Sequence, residues 1–217
     1  MRLTKFLSTY FYNSEELCHA LAIDEECLAN WQQHSLFPKP SYCIQSQLEC
    51  SSYSGIYQCE EYDDYYPRGA VNWGQHLLKH AISSSSQAFN HFAQQYSQQL
   101  NKLAELGFTL NEELFGSDID EHLQQVWQQF LCSKYGVLTQ NGLIEEIVQL
   151  DIAKLLIDDI TELRSKIGLS QDERLALHKA LKLLNRALSH GTGHEGQNSL
   201  RHRYIHDVVI KYDLSIK

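Results

Sequence analysis

The residue types with the most chemical potential gather near the C-terminal end: His190-Gly-Thr-Gly-His194-Glu195, then Ser199, Arg201, His202, Arg203 and His206. Glycines at 191, 193 and 196 let backbone amides turn toward a ligand. A helix expected from about Ser199 to Tyr212 would add its N-terminus, a ready site for an anion. Arg201 and Arg203 would contribute guanidinium contacts to phosphate or carboxylate. His194, Glu195, Ser199, Arg201 and Arg203 are therefore the candidates for holding a small anionic molecule. A divalent metal is a second reading, because His202 and His206 are four apart on one helical face and His194 or Glu195 would complete the set. The spacing is not that of the His-Glu-x-x-His metalloprotease helix. In a third reading the cluster is an exposed glycine-rich loop, with a Glu–Arg pair tying the last helix to the body. No catalytic residue is assigned and no cofactor is expected. The chain lacks a phosphate-binding Walker loop, a dinucleotide fingerprint, a nucleophile elbow and zinc-finger spacing.

The elements that would position this cluster are mostly helical. Only three prolines and eleven glycines punctuate 217 residues, which favours long helices. Asn13 with Glu16 forms a capping-box pattern before one short helix, Asp24 caps a second, and Pro38 and Pro40 force an extended exit. Residues 42–66 alternate partially around a Ser54-Gly55 turn and predict a short hairpin or wing, then an acidic loop with Tyr53, Tyr57, Tyr62, Tyr65 and Tyr66. From Asn72 the apolar period becomes helical, with a break expected at the serine run 83–86. Further helices are predicted over 117–133, 141–166 and 170–190, the last opened by the Ser170–Glu173 capping box. Residues 135–138 read as a short irregular piece. The expected fold is mainly α: a helix-turn-helix with a small β-hairpin over 1–68, then a helical bundle over 69–217.

Charge narrows the function. The formal net charge is −9. Residues 1–169 carry 10 basic and 22 acidic side chains, whereas residues 170–217 carry 8 and 5 together with five of the eleven histidines. An anionic partner therefore belongs in the C-terminal quarter. The helix-turn-helix outline suggests DNA, but residues 1–45 hold three Lys/Arg against five Asp/Glu, and Glu25 and Glu26 open its second helix. Phosphate neutralisation supplies much of the affinity for DNA, so a protein contact fits better than a DNA contact. No run of about 18 apolar residues and no secretory leader pattern is visible, so the expectation is a cytoplasmic protein without membrane contact. The six cysteines are then read as free thiols; Cys50 and Cys59 could face each other across the hairpin. Apolar stripes on the helices over 72–106 and 141–167 suggest a homodimer.

Three segments together resemble a bacterial family of uncharacterised proteins, sometimes labelled natural-product biosynthesis proteins. They are Phe37–Tyr42 (FPKPSY), Phe130–Thr139 (FLCSKYGVLT) leading into Ile144–Ile147, and His194–Tyr204 (HEGQNSLRHRY) with Lys211–Tyr212. The middle motif departs from that family's pattern, because Ser133-Lys134 replaces a Gly-Thr and Leu138 stands where a cysteine is common. The last motif keeps Glu195, Ser199 and an arginine at 201 or 203. The resemblance brings no established activity. The N-terminal segment separately resembles the first half of a MerR-type DNA-binding domain. Two function classes follow: a non-enzymatic binding or regulatory protein, or an enzyme or accessory factor acting on an anionic biosynthetic intermediate near Glu195, Arg201 and Arg203.

Overall fold

A computed structural model of the chain describes residues 3–108, 119–191 and 199–214. The fold is mainly helical, with a three-stranded antiparallel sheet near the N-terminus. No helix among the described residues is long and apolar enough to cross a membrane.

The N-terminal unit begins with α1 (Leu3–Tyr10) and a three-residue strand β1 (Phe11–Asn13), followed by α2 (Ser14–Leu21) and α3 (Glu25–Gln33). The expected caps are present. Glu16 N donates to the Asn13 side chain at 2.8 Å, Asn13 N donates back to the Glu16 carboxylate at 3.1 Å, and Cys27 N donates to Asp24 at 2.8 Å. Ala22, in the left-handed region with φ 54°, turns the chain between α2 and α3. Strands β2 (Tyr42–Ser52) and β3 (Gly55–Pro67) then form a long ribbon in unbroken register from Tyr42↔Tyr65 to Ser52↔Gly55. β1 pairs with β3 at its base, Phe11↔Pro67 to Asn13↔Tyr65. The hairpin is thus longer than its partial alternation predicted. It absorbs the acidic, tyrosine-rich segment, which would otherwise be a loop. The six cysteines are free thiols.

The helical body comprises α4 (Ala70–Lys79), α5 (Ser85–Glu105), α6 (Ile119–Leu131), α7 (Lys134–Leu138), α8 (Ile144–Ile160), α9 (Gln171–Ala187), a π-helical turn at His202–His206 and α10 (Asp207–Lys211). Ser84 caps α5, so the serine run does break the long helical period. An aromatic knot fills the middle. Trp127 lies 5.1 Å from Phe92, 5.6 Å from Phe130 and 5.9 Å from Trp73, ring centroid to ring centroid. Such pairs contribute roughly 0.5–1.5 kcal/mol each beyond the area they bury. Leu17, Leu28 and Trp31 from the N-terminal unit belong to the same buried cluster as Leu150, Leu184 and Val208. A separate small cluster of Phe6, Leu7 and Phe11 packs on Tyr42, Ile44 and Tyr65 at the base of the ribbon.

Residues 135–138, read from sequence as irregular, belong to the single helical turn α7. Backbone bonds to the end of α9 clamp it: Gln140 N donates to Ala187 O at 3.0 Å and Ser189 N to Leu138 O at 2.8 Å. Gly136 is required by close approach, since a Cβ there would collide with Ser41 Oγ. That hydroxyl is hydrogen-bonded to Ser133 at 2.7 Å. At the far end of α8, three successive non-glycine residues take positive φ: Glu162 (49°), Leu163 (54°) and Arg164 (69°). The C-terminal segment braces this bend. Tyr212 Oη donates to Lys166 O at 3.0 Å, and Lys211 Nζ donates to Arg164 O.

Candidate functional site

Two helices present the same spacing to one cavity. On α6 the lining positions are His122, Gln125, Val126 and Gln129; on α8 Asp151, Lys154, Leu155 and Asp158 repeat that spacing, with Leu150 beside them. Both sets fall at i, i+3, i+4 and i+7, a single helical face. Lys134 and Tyr135 of α7 close one end, and Leu200 and Arg203 of the C-terminal segment line another side. The cavity holds about 410 Å³, room for a small molecule.

Asp151 is the hub of the floor. Tyr135 Oη lies 3.0 Å from its Oδ2, and Tyr96 Oη lies 3.4 Å from the same oxygen and 3.2 Å from His122 Nε2. Gln129 Oε1 accepts from Lys134 Nζ at 2.8 Å and lies 3.2 Å from Tyr135 Oη. The result is a hydrogen-bonded chain, His122–Tyr96–Asp151–Tyr135–Gln129–Lys134, drawn from four helices. Burial raises the Asp151 carboxyl to about 6, against the opposing help of the Tyr135 hydrogen bond and the Lys154 and Lys134 charges. Burial, with the Asp151 charge beside them, also raises both phenols. The His122 imidazole is lowered by burial. Lys134 is lowered by burial and by the neighbouring Lys154. Titratable groups displaced in both directions around one cavity are the pattern expected of a functional site.

The outer wall is tied by Asp158. Tyr204 Oη donates to its Oδ2 at 2.8 Å, and Arg164 Nη2 approaches Oδ1 at 3.7 Å. The Tyr204 ring lies under the Arg164 guanidinium at 4.8 Å and near Lys154 Nζ at 5.6 Å.

The residues singled out from sequence occupy different places. His194 and Glu195 lie outside the described residues. Ser199 Oγ accepts from His202 N at 3.2 Å and so caps the following turn. Arg201 is engaged with the end of α9, donating to Leu188 O at 3.0 Å, Ser189 O at 3.3 Å and the Asn185 side chain. Arg203 lines the cavity. His202 and His206 stack with centroids 5.2 Å apart, and His202 Nε2 lies 3.4 Å from Asp207 Oδ1. A second group of imidazoles sits at the α4–α5 junction, where His76 Nε2 and His91 Nδ1 are 3.1 Å apart and the tilted His80 ring lies 4.3 Å from His76, centroid to centroid. Among the described residues no set of three His, Cys, Asp or Glu side chains is disposed to hold a metal ion.

Sequence reading did not single out Asp151, His122, Tyr96, Lys134, Tyr135 or Lys154 as a site. One signal was present: Asp151 and Lys154 interrupt the apolar run of α8 on its inward face. Another was the segment Phe130–Thr139, quoted above for its resemblance, which supplies Lys134 and Tyr135.

The chain belongs to a family of unknown function, DUF6058, whose model matches residues 88–213. That span takes in every residue lining the cavity and leaves the ribbon and the first four helices outside it. No curated protein and no solved structure matches the chain.

Proposed function

We propose that the helical body binds a small anionic molecule in the cavity between α6, α7 and α8. The observation that supports this reading is the disposition of Lys134, Lys154 and Arg203 around a space of about 410 Å³ floored by Asp151. Three cationic side chains outnumber the two lining carboxylates, and Arg164 already offsets Asp158. A ligand with one anionic group would engage the lysines and Arg203, while a hydroxyl or amine on the same molecule would donate to Asp151. The N-terminal unit then serves as a helix-turn-helix-like contact module. Its three-residue turn at 22–24 and the ribbon that follows α3 support that part of the reading. The acidic side chains of both favour a protein over DNA.

The test is isothermal titration with inorganic phosphate, pyrophosphate and a set of dicarboxylates. Binding that weakens at least about tenfold in Lys154→Met and Arg203→Met is expected, each variant losing a charge-assisted contact. Equal binding in wild type and both variants would rule the cavity out. Duplex DNA binding that falls steeply with salt would overturn the protein-contact assignment.

A second reading, an enzyme or accessory factor of natural-product biosynthesis, is favoured by the hydrogen-bonded chain through Asp151. A carboxyl raised to about 6 and linked to a phenol and an imidazole is suited to taking and returning a proton near neutral pH. Asp151→Asn separates the two readings. It leaves anion binding within a few fold if the site only binds, and removes turnover of a processed ligand if the site is catalytic.

A further inference from the structure

The ribbon has two unlike faces. Directly paired residues point the same way in an antiparallel sheet, so the register sorts its side chains. One face carries Gln45, Gln47, Glu49, Gln58, Glu60 and Tyr62. These bond to one another: Gln58 Nε2 donates to Glu49 at 2.6 Å, Gln47 Nε2 to Glu60 at 3.2 Å and Tyr62 Oη to Glu60 at 3.0 Å. The opposite face reads Tyr42, Ile44, Ser46, Leu48 and Cys50 on β2, against Tyr65, Asp63, Glu61, Cys59 and Tyr57 on β3. Its lower half is covered, because Phe6 and Leu7 of α1 and Phe11 pack on Tyr42, Ile44 and Tyr65. Its upper half is bare: Leu48 is 44% exposed and Tyr57 67%, with Tyr53 exposed in the turn beyond them.

We infer that this upper face is a docking surface for an amphipathic helix of a partner protein whose apolar stripe is flanked by lysine and arginine. The inference rests on the reading of the N-terminal unit as a protein-contact module. Two features of the structure select the occupant. α1 already shows how a helix lies on this face, laying apolar side chains across paired strand residues, so a second helix would continue the same packing toward the tip. Charge then sets its composition. Between Pro40 and Pro67 there is no lysine or arginine, while Glu49, Glu60, Glu61, Asp63 and Asp64 supply five carboxylates. Glu61 lies at the lower margin of the docking face, and Asp63 lies below it, opposite Ile44 in the part that α1 covers. A second copy of this ribbon would bring the same negative charges together and is disfavoured for that reason.

The probe is a Leu/Lys amphipathic peptide of about 18 residues, long enough to hold a helix on binding, carrying a photoreactive benzophenone side chain. A Leu/Glu peptide of the same pattern is the control. The full-length protein should bind the Leu/Lys peptide and not the control, and Leu48→Ser with Tyr57→Ser should weaken binding at least about tenfold. The double variant keeps every carboxylate, so purely electrostatic sticking would survive it and would overturn the inference. Cross-links on residues 46–59 support it. Cross-links on α2 or α3 overturn it while leaving the protein-contact module intact, and cross-links confined to the helical body remove both. Concentration-dependent dimerisation abolished by the same double variant would make a second copy the occupant and overturn the basic-helix partner.

Discussion

The cavity of the helical body and the ribbon of the N-terminal unit solve opposite problems. The cavity takes Asp151 and its two phenol partners largely out of water, so each is matched by another side chain, and burial displaces their protonation. The ribbon leaves its charges in water and pairs them loosely along one face, so its carboxylates keep their freedom and its apolar side chains stay exposed. Buried polar groups fix a single arrangement because breaking one contact leaves the rest unsatisfied. Exposed ones leave little trace on stability and act through what they meet. The first arrangement suits recognition of one small molecule, the second adaptation to a protein surface.

The contrast is sharpest in what substitutions should do. Trp127→Ala, which removes the ring between Phe92, Phe130 and Trp73, should cost about 3–5 kcal/mol in chemical denaturation. A loss below about 1 kcal/mol would mean the aromatic knot is not the centre of the body.

Asp151→Asn should do the reverse near neutrality. The folded-state carboxyl is pushed up to about 6 from an ordinary value of 3.8, so the folded chain holds that proton more tightly than the unfolded one. Folded stability therefore falls as pH rises from below 3.8 through 6, then stays level with respect to this group. An amide carries no such cost. The variant should gain about 1–3 kcal/mol at pH 7.5, and the gain should shrink below pH 6 and vanish near pH 4. A variant that melts earlier than wild type at pH 7.5 would show that the lysines and phenols more than offset the burial.

The smallest effect belongs to the ribbon. Tyr57→Ser should change stability by no more than about 0.5 kcal/mol, because the ring is largely exposed. A larger loss would mean that the upper face is already covered within the chain.

What the sequence disclosed follows the range of the interactions. Asn13–Glu16, Asp24 and Ser170–Glu173 are local signals, complete within four residues, and each cap is where it was expected. The break at the serine run is local as well. α1 escaped notice because its apolar residues find their partner only when Phe11 and the ribbon fold onto them. Residues 135–138 read as irregular because Gly136 is a poor helix former, and its reason lies nearly a hundred positions away at Ser41. The cavity was the least legible. His122, Tyr135 and Asp151 are unremarkable singly and acquire meaning only when α6, α7 and α8 converge. Of the C-terminal cluster, the structure brings Arg203 to the cavity and gives Arg201 to the end of α9, a division that a spacing of two residues cannot reveal.

The bend at Glu162–Arg164 ties the cavity wall to the C-terminal segment. Left-handed backbone at non-glycine residues is unfavourable by roughly 1–2 kcal/mol each, and local bonds from Leu163 N to Asp158 O and from Arg164 N to Thr161 Oγ1 offset part of that. The remaining braces, Lys211 and Tyr212, lie more than forty positions downstream. The same segment sets Tyr204 beneath the Arg164 guanidinium. A substitution at Lys211 or Tyr212 therefore reaches the cavity through its outer wall, without touching a lining residue.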